Sequence, residues 1–267
     1  MITSSQNPKI QWVRKLLSNR KEREISGCFV VEGIRLTEEA AEHDPACRLL
    51  LYSQPVSPRA SKIIEKISQT KAEIEEIPAD LMASISDTQT PQGILAVIEP
   101  LKIDPPLQAD FIVIADGIQD PGNAGTLIRT SAAAGADMII FAPGSADPWS
   151  HKVLRSAMGG NFRIPVLEYN WDQIRTLFQT YPGLSVSAAD SDGGINYWEN
   201  NFCQPTALII GSEGAGPCAE ALNLAQQRVL IPMPGKMESL NASVAAGILI
   251  FEVIRQRSQI HPGESPL

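Results

Sequence analysis

The sequence predicts an α/β protein in two parts: a compact mixed α/β module, then a larger domain built on a parallel sheet. Three observations predict it. Residues 100–106, PLKIDPP, put Pro100, Pro105 and Pro106 within seven positions, which suits a linker and not the interior of an element. After that joint, short unbroken apolar runs alternate with helical patterns, the order that buries a parallel sheet beneath helices on both faces. Before it, helices and strands mix less regularly. The expected divisions are 1–99, a joint over 100–108, and 109–267.

In chain order, IQWVRKLLSNRKERE reads as one helix with Ile10, Val13, Leu16 and Leu17 on a single face. CFVVEGIRLTEEAAEH reads as a strand, a glycine turn and a helix. RLLLYS is a strand, SKIIEKISQT a helix, and GILAVIE closes the module as a strand. Beyond the joint, FIVIADG is a buried strand, GTLIRTSAAAGA a helix, MIIFAPG a strand and HKVLRSAM a helix. A strand over Leu184 to Ala188, the strand TALIIGS, a short helix, the strand RVLIPMP and a long apolar helix complete the set.

Composition narrows the classes. The chain has 267 residues, 43% hydrophobic and 19% charged, values normal for a globular protein. No apolar run is long enough to span a membrane, and residues 1–25 lack a signal-peptide core, so a cytoplasmic protein is expected. Cys28, Cys47, Cys203 and Cys218 form no CxxC pair, and His43, His151 and His261 are scattered. A reduced compartment is expected, and no metal site. Net charge is −8, yet residues 1–30 carry a local +4 from Lys9, Arg14, Lys15, Arg20, Lys21 and Arg23 against Glu22 and Glu24. Two readings of this arm stay open: a phosphate-binding surface, with Arg14, Lys15, Arg20 and Lys21 as contacts, or a solvated helix face.

Chemistry-bearing residues fall in three loops that follow strands, where open parallel sheets bind ligands. The first runs from Ile118 to Gly125 and leads to Arg129. Asn123 there reads as a loop-fixing residue or as an ordinary helix cap, and Arg129 as a group near the loop or a plain surface residue. The second, Gly211-Ser212-Glu213-Gly214-Ala215-Gly216-Pro217, contains a loose GxGxxA dinucleotide pattern. The strand after it ends in Met233 and Pro234 and supplies no acid for a ribose, which weakens a nicotinamide-dehydrogenase reading. The third, IPMPGKMESLNAS, crowds Glu238, Ser239, Asn241 and Ser243 before the last helix, more hydrogen-bonding groups than one cap requires. The surplus, beside a glycine turn, points to a pocket that grips a small polar molecule.

Taken in order, N-x-G-x-x-x-R (Asn123, Gly125, Arg129), G-S-E-G-x-G (Gly211 to Gly216) and I-P-M-x-G-x-x-x-S-L-N-x-S (Ile231 to Ser243) resemble the three motifs of the SpoU, or TrmH-type, RNA 2′-O-ribose methyltransferases. Residues 1–99 are similar to that family's RNA-binding accessory domain, an L30e-type module. The opening ITSSQNPKIQWVRKL resembles that of members acting on ribosomal RNA.

The resemblance implies S-adenosylmethionine as methyl donor, a deep trefoil knot in the C-terminal part, and a homodimer with active sites at the interface. It implies backbone contacts to the cofactor at Gly211, Ile231 and Leu240, and catalytic positions at Arg129, Glu213, Ser239 and Asn241. Asn123 is implied to fix its loop and to touch RNA. Ribosomal and transfer RNA both remain open as substrate, and a non-catalytic RNA-binding protein on the same fold is the alternative.

Overall fold

The computed structural model describes residues 1–43, 46–88, 90–100, 103–235 and 237–260. Positions 101 and 102 of the expected joint, and His261, lie outside them. Contacts divide the chain into two compact units. One is Met1–Lys102 with Trp149–Phe162, the other Ile103–Pro148 with Arg163–Leu267.

The first unit opens with α1 (Pro8–Ser18) and α2 (Arg20–Ser26), where the sequence pattern predicts a single helix. Asn19 makes the break. Its backbone is extended, and its side chain accepts the Lys21 N–H, so it caps a new helix and does not continue the old one. The unit continues through β1 (Phe29–Glu32), α3 (Ile34–Glu42), β2 (Cys47–Tyr52), α4 (Pro58–Ser68), β3 (Glu73–Glu76), α5 (Ala79–Ile85) and β4 (Ile94–Ile98).

Its sheet runs β1-β4-β2-β3, with β4 antiparallel to β1 and β2, and β3 parallel to β2. Alternate side chains sort to opposite faces. Val30, Leu49, Leu51, Leu95 and Val97 pack on Ile10, Val13 and Leu16 of α1 and Leu81 and Met82 of α5. Phe29, Val31, Leu50 and Ala96 pack on Leu36 of α3 and Ile63 and Ile67 of α4.

The second unit begins with β5 (Phe111–Ala115), α6 (Pro121–Ala133) and β6 (Met138–Phe141). Next in the chain is α7 (His151–Ala157), the predicted HKVLRSAM helix, but it does not belong to the expected 109–267 domain by its contacts. Trp149–Phe162 joins the first unit, where Phe29 lies 5.0 Å from Trp149 and 6.1 Å from Phe162 between ring centroids. Leu154 and Phe162 complete that apolar cluster.

Then come β7 (Val166–Glu168), α8 (Trp171–Thr180), β8 (Ser185–Ala189), β9 (Ile195–Asn196), β10 (Thr206–Ile210), α9 (Ala219–Leu224), β11 (Gln227–Leu230) and α10 (Ala242–Ile260). All seven strands are parallel, in the order β7-β6-β5-β10-β8-β11-β9. Every residue of β5, β6 and β10 is buried, which explains why these strands read as unbroken apolar runs.

The order also positions the site. Neighbouring strands β5, β10, β8 and β11 send their C-terminal loops to one edge of the sheet, so segments distant in sequence meet there. Among the described residues, no helix is long and apolar enough to cross a membrane.

Candidate active site

The first loop is tied down before any ligand is considered. Asp116, just past β5, is buried, and its Oδ2 accepts the Cys218 N–H at 2.6 Å, joining the loop after β5 to the loop after β10. Burial pushes the Cys218 thiol up to about 11, so it stays protonated and is no nucleophile near neutral pH. Asp120, not Asn123, caps α6: its Oδ1 accepts the Asn123 N–H at 2.8 Å, and Pro121 occupies the first helical position. Thus α6 starts earlier than the GTLIRTSAAAGA pattern suggests. That frees the Asn123 side chain and places Arg129 more than two turns into the helix.

The second loop depends on one glycine. A Cβ on Gly211 would lie 2.3 Å from the backbone of Gly216 and Pro217, so no other residue fits without opening the turn. Ser212 and Gly216 close that turn with reciprocal N–H···O bonds of 3.2 and 3.0 Å. The GxGxxA run is therefore consumed in a closed turn, and α9 starts only at Ala219. This is not a glycine-rich entrance running directly into a helix.

Glu213, at the tip of the turn, is where the three loops meet. Its Oε1 accepts the Asn123 Nδ2 at 2.6 Å, the Asn241 Nδ2 at 2.6 Å and the Ala242 N–H at 3.2 Å. The Asn241 Nδ2 also reaches the Asn123 Oδ1 at 3.0 Å. The other end of the Asn241 amide caps α10, its Oδ1 accepting the Ser243 and Val244 N–H groups at 3.1 and 3.3 Å and the Ser243 hydroxyl at 2.6 Å. The polar crowding before the last helix thus has two jobs. Asn241 caps the helix and, with Asn123, fixes one oxygen of Glu213.

Two cavities flank this carboxylate. One of about 360 Å³ is walled by Gly211, Ile231, Ser239 and Leu240, together with Ala245 and Leu249 of α10. Asp190, Asp192 and Glu238 add negative charge to it. Asp190 is buried and ion-paired with Arg228. The other cavity, of about 440 Å³, is walled by Gly117, Gln119, Asp120 and Asn123. Both share Ser212, Glu213, Gly214, Ala215 and Ala242. Each volume is within the usual range for small-molecule sites.

The structure thus brings together Asn123, Glu213 and Asn241, and sets Gly211, Ile231, Ser239 and Leu240 around one cavity. Arg129 is not among them. It is exposed, lines neither cavity, and has no hydrogen-bond or ion-pair partner among the described residues. Arg14, Lys15, Arg20 and Lys21 lie on α1 and α2 of the first unit, where Arg14 Nη2 donates to Ser84 Oγ at 3.0 Å and Arg20 pairs with Glu24 at 2.8 Å. Sequence reasoning missed Asp190 and Asp192. The signal was present in Ala-Ala-Asp-Ser-Asp, two acids directly after a strand of small residues.

A parallel α/β domain with a glycine-built, acid-lined cavity at its strand ends, and a fixed carboxylate on the cavity wall, defines the class: an α/β enzyme that binds a small cationic or polar cofactor. The particular family follows from comparison. The model of the SpoU rRNA Methylase family matches residues 110–251, and that of the MRM3-like substrate binding domain matches residues 7–96.

The 23S rRNA (guanosine(2553)-2′-O)-methyltransferase RlmP of Bacillus subtilis is 33% identical over 257 residues, covering 94% of this chain and 98% of that one. The 23S rRNA (uridine(2479)-2′-O)-methyltransferase of Streptomyces viridochromogenes is 32% identical, covering 95% and 92%. The crystal structure of the SpoU methyltransferase AviRb from Streptomyces viridochromogenes in complex with AdoMet superposes with a TM-score of 0.86 at 31% identity, covering 94% of this chain and 98% of that one. The chain belongs to the SpoU rRNA methylase family. It is an RNA methyltransferase with S-adenosylmethionine as its cofactor.

The residues present fit that cofactor. Gly211 stands on the cavity wall, Ile231, Leu240 and Leu249 offer apolar surface, and the acids suit a sulfonium and an ammonium.

Proposed function

We propose that this protein methylates a ribose 2′-hydroxyl of ribosomal RNA. The observation that carries the reading is the Glu213 carboxylate, held by Asn123 and Asn241 where a cofactor-sized cavity meets a second cavity. S-adenosylmethionine supplies an electrophilic methyl group on a cationic sulfur. The protein's part is to hold, orient and stabilise. Gly211, Ile231 and Leu240 offer backbone to the cofactor, and Ser239 stands on the same wall. Placing hydroxyl against methyl supplies much of the rate in such a displacement. A guanidinium carries N–H donors and no acceptor, so Arg129 acts as a donor, orienting a phosphate of the RNA and stabilising charge on the ribose oxygen.

The reading includes a homodimer whose partner completes the site. Two features support it. Arg129 stands outside the cavity walls of its own chain, and Val244 and Phe251, seven positions apart on α10, are large apolar side chains half exposed to solvent. The reading also includes a trefoil knot. Its support is the sheet order, in which β10 enters between β5 and β8, and β11 between β8 and β9.

For the first unit we propose an L30e-like RNA-binding role, in which the division 1–99 stands as a functional boundary and Arg14, Lys15, Arg20 and Lys21 meet phosphate. The family match over residues 7–96 supports it. Action in the cytoplasm goes with the same reading. A non-catalytic RNA-binding protein is disfavoured, since Asn123, Arg129, Glu213, Ser239 and Asn241 are all in place.

The test is a map of ribose methylation in cellular RNA with and without the gene, paired with transfer by the purified protein. Loss of one ribosomal 2′-O-methyl group, restored in vitro, is the expected result. Loss at a transfer-RNA site would move the substrate to that class, and an unchanged map with no transfer would overturn the reading.

A further inference from the structure

We infer that a cavity in the first unit receives one unpaired, amino-bearing nucleotide of RNA, with its base on Trp12, its base edge at Glu99 and its phosphate at Lys71. The inference rests on the RNA-binding reading above and adds to it a site that reads a base.

The cavity, of about 440 Å³, lies at one end of the four-stranded sheet, a volume suited to one nucleoside. Its walls come from the residue before β1, the starts of β2 and β3, and the residue after antiparallel β4. Helix α1 adds Lys9 and Trp12, three positions apart and so neighbours on its surface. Cys28 and Leu49, both buried, form an apolar part of the wall. Burial raises the Cys28 thiol above its ordinary range, so it stays uncharged there.

Ion pairs hold these walls in place. Lys9 Nζ bridges Glu73 and Glu75 at 2.6 Å each, tying α1 to β3. Arg48 Nε donates to Glu99 Oε1 at 2.7 Å, joining the start of β2 to the end of β4. Three groups on the wall are left over. The Lys71 ammonium, the Trp12 indole N–H and Glu99 Oε2 have no hydrogen-bond or ion-pair partner among the described residues. Trp12 packs only in part against the apolar cluster beneath α1, which leaves ring surface open.

Those three groups match the parts of a splayed nucleotide. Proteins take unpaired bases by stacking them on aromatic rings and bonding their Watson–Crick edges. An unpaired ammonium meets a phosphate as a point charge. Lys9, Arg48 and Lys71 exceed Glu73 and Glu99 by one positive charge, enough for one phosphodiester. A carboxylate oxygen accepts and cannot donate, so Glu99 selects bases that offer N–H groups. Guanine presents two adjacent ones, and adenine and cytosine present an amine, whereas uracil sets its single N–H between two carbonyls that a carboxylate repels.

The test uses the full chain and labelled single-stranded RNA hexamers, either all uridine or with one guanine, adenine or cytosine, read by fluorescence anisotropy. The native protein should bind the guanine hexamer about tenfold more tightly than the uridine one. Trp12→Leu keeps an apolar side chain against the cluster but removes the stacking surface. It should weaken the guanine hexamer by roughly 5- to 100-fold, and Trp12→Phe should recover much of that loss. Glu99→Gln should bring the four hexamers within about twofold of one another. Lys71→Gln, an exposed change that leaves folding alone, should reduce the slope of log Kd against log salt by about 0.7.

Equal binding of all four hexamers by the native protein, or Trp12→Leu and Lys71→Gln proteins that bind them as the native one does, would overturn the inference. Guanosine 5′-monophosphate binding as tightly as the guanine hexamer would overturn the assignment to RNA in favour of a free nucleotide. These dissociation constants are read without catalysis. If the native protein transfers no methyl group to RNA while the hexamer differences hold, the methyl-transfer reading fails and this site stands.

Discussion

Asn123 and Arg129 stand six positions apart on one helix, and the structure treats them oppositely. By helix geometry they are separated by about 9 Å along the axis and roughly 120° around it. Asn123 faces inward, bonded to Glu213 and Asn241. Arg129 is exposed, with no partner among the described residues. On the function proposed above, the difference separates two kinds of functional residue. A group that must be in place before substrate arrives is fixed by its own loops, at strand ends tied together by Asp116 and Gly211. A group that answers to RNA, or to a second subunit, can be left unheld until that partner supplies the contact.

The held side breaks most completely at Gly211. Gly211→Ala forces a Cβ into the Gly216–Pro217 backbone, and overpacking of this kind costs roughly 1–3 kcal/mol. Calorimetry should show S-adenosylmethionine affinity weakened by about tenfold or more, with transfer lost accordingly. Unchanged affinity would mean that the turn does not shape the cofactor wall.

Asn241→Ala is milder and separates two jobs. Loss of the cap should lower stability by about 1 kcal/mol, a fall in Tm of roughly 2–4 °C. Transfer should drop by about tenfold beyond any unfolding, because Glu213 Oε1 loses a donor. Normal transfer in the folded variant would show that Asn123 and Ala242 hold Glu213 without it.

The smallest effect is expected on the unheld side, in the first unit. Lys15 and Lys21 have no side-chain partners among the described residues, whereas Arg20 already pairs with Glu24. Replacing Arg14, Lys15, Arg20 and Lys21 by neutral residues should weaken RNA binding and flatten its dependence on log salt by roughly 0.7–0.9 per lost phosphate contact. An unaltered slope would return the arm to a solvated helix face.

Much of this arrangement was legible in the sequence, though unevenly. The buried strands β5, β6 and β10 are unbroken apolar runs, and the three polar loops stand out against them. What escaped reading depends on tertiary partners. EIEE has no apolar alternation and becomes β3 only because Leu49 to Tyr52 of β2 lie beside it. Asn19 ends a helix whose apolar face gives no warning of the break, because a cap acts through one side-chain hydrogen bond and leaves the periodicity intact.

The segment 149–162 is helical as expected, but its allegiance to the first unit rests on the long-range packing of Phe29, Trp149 and Phe162. In the site, the residue types were legible and their division of labour was not. Asn123 reads as a loop-fixing residue or a cap until Asp120 is seen to do the capping, and only the fold reveals that Glu213 has one oxygen fixed and one open.

The most direct test of the contrast is Arg129→Ala, assayed together for cofactor binding and for methyl transfer to RNA. The account predicts an S-adenosylmethionine Kd within about twofold of the native value and transfer lower by roughly 10³-fold, as for removal of a donor that acts on the RNA and its reacting oxygen and not on the cofactor. Transfer within a few-fold of native, or cofactor binding lost along with activity, would contradict it.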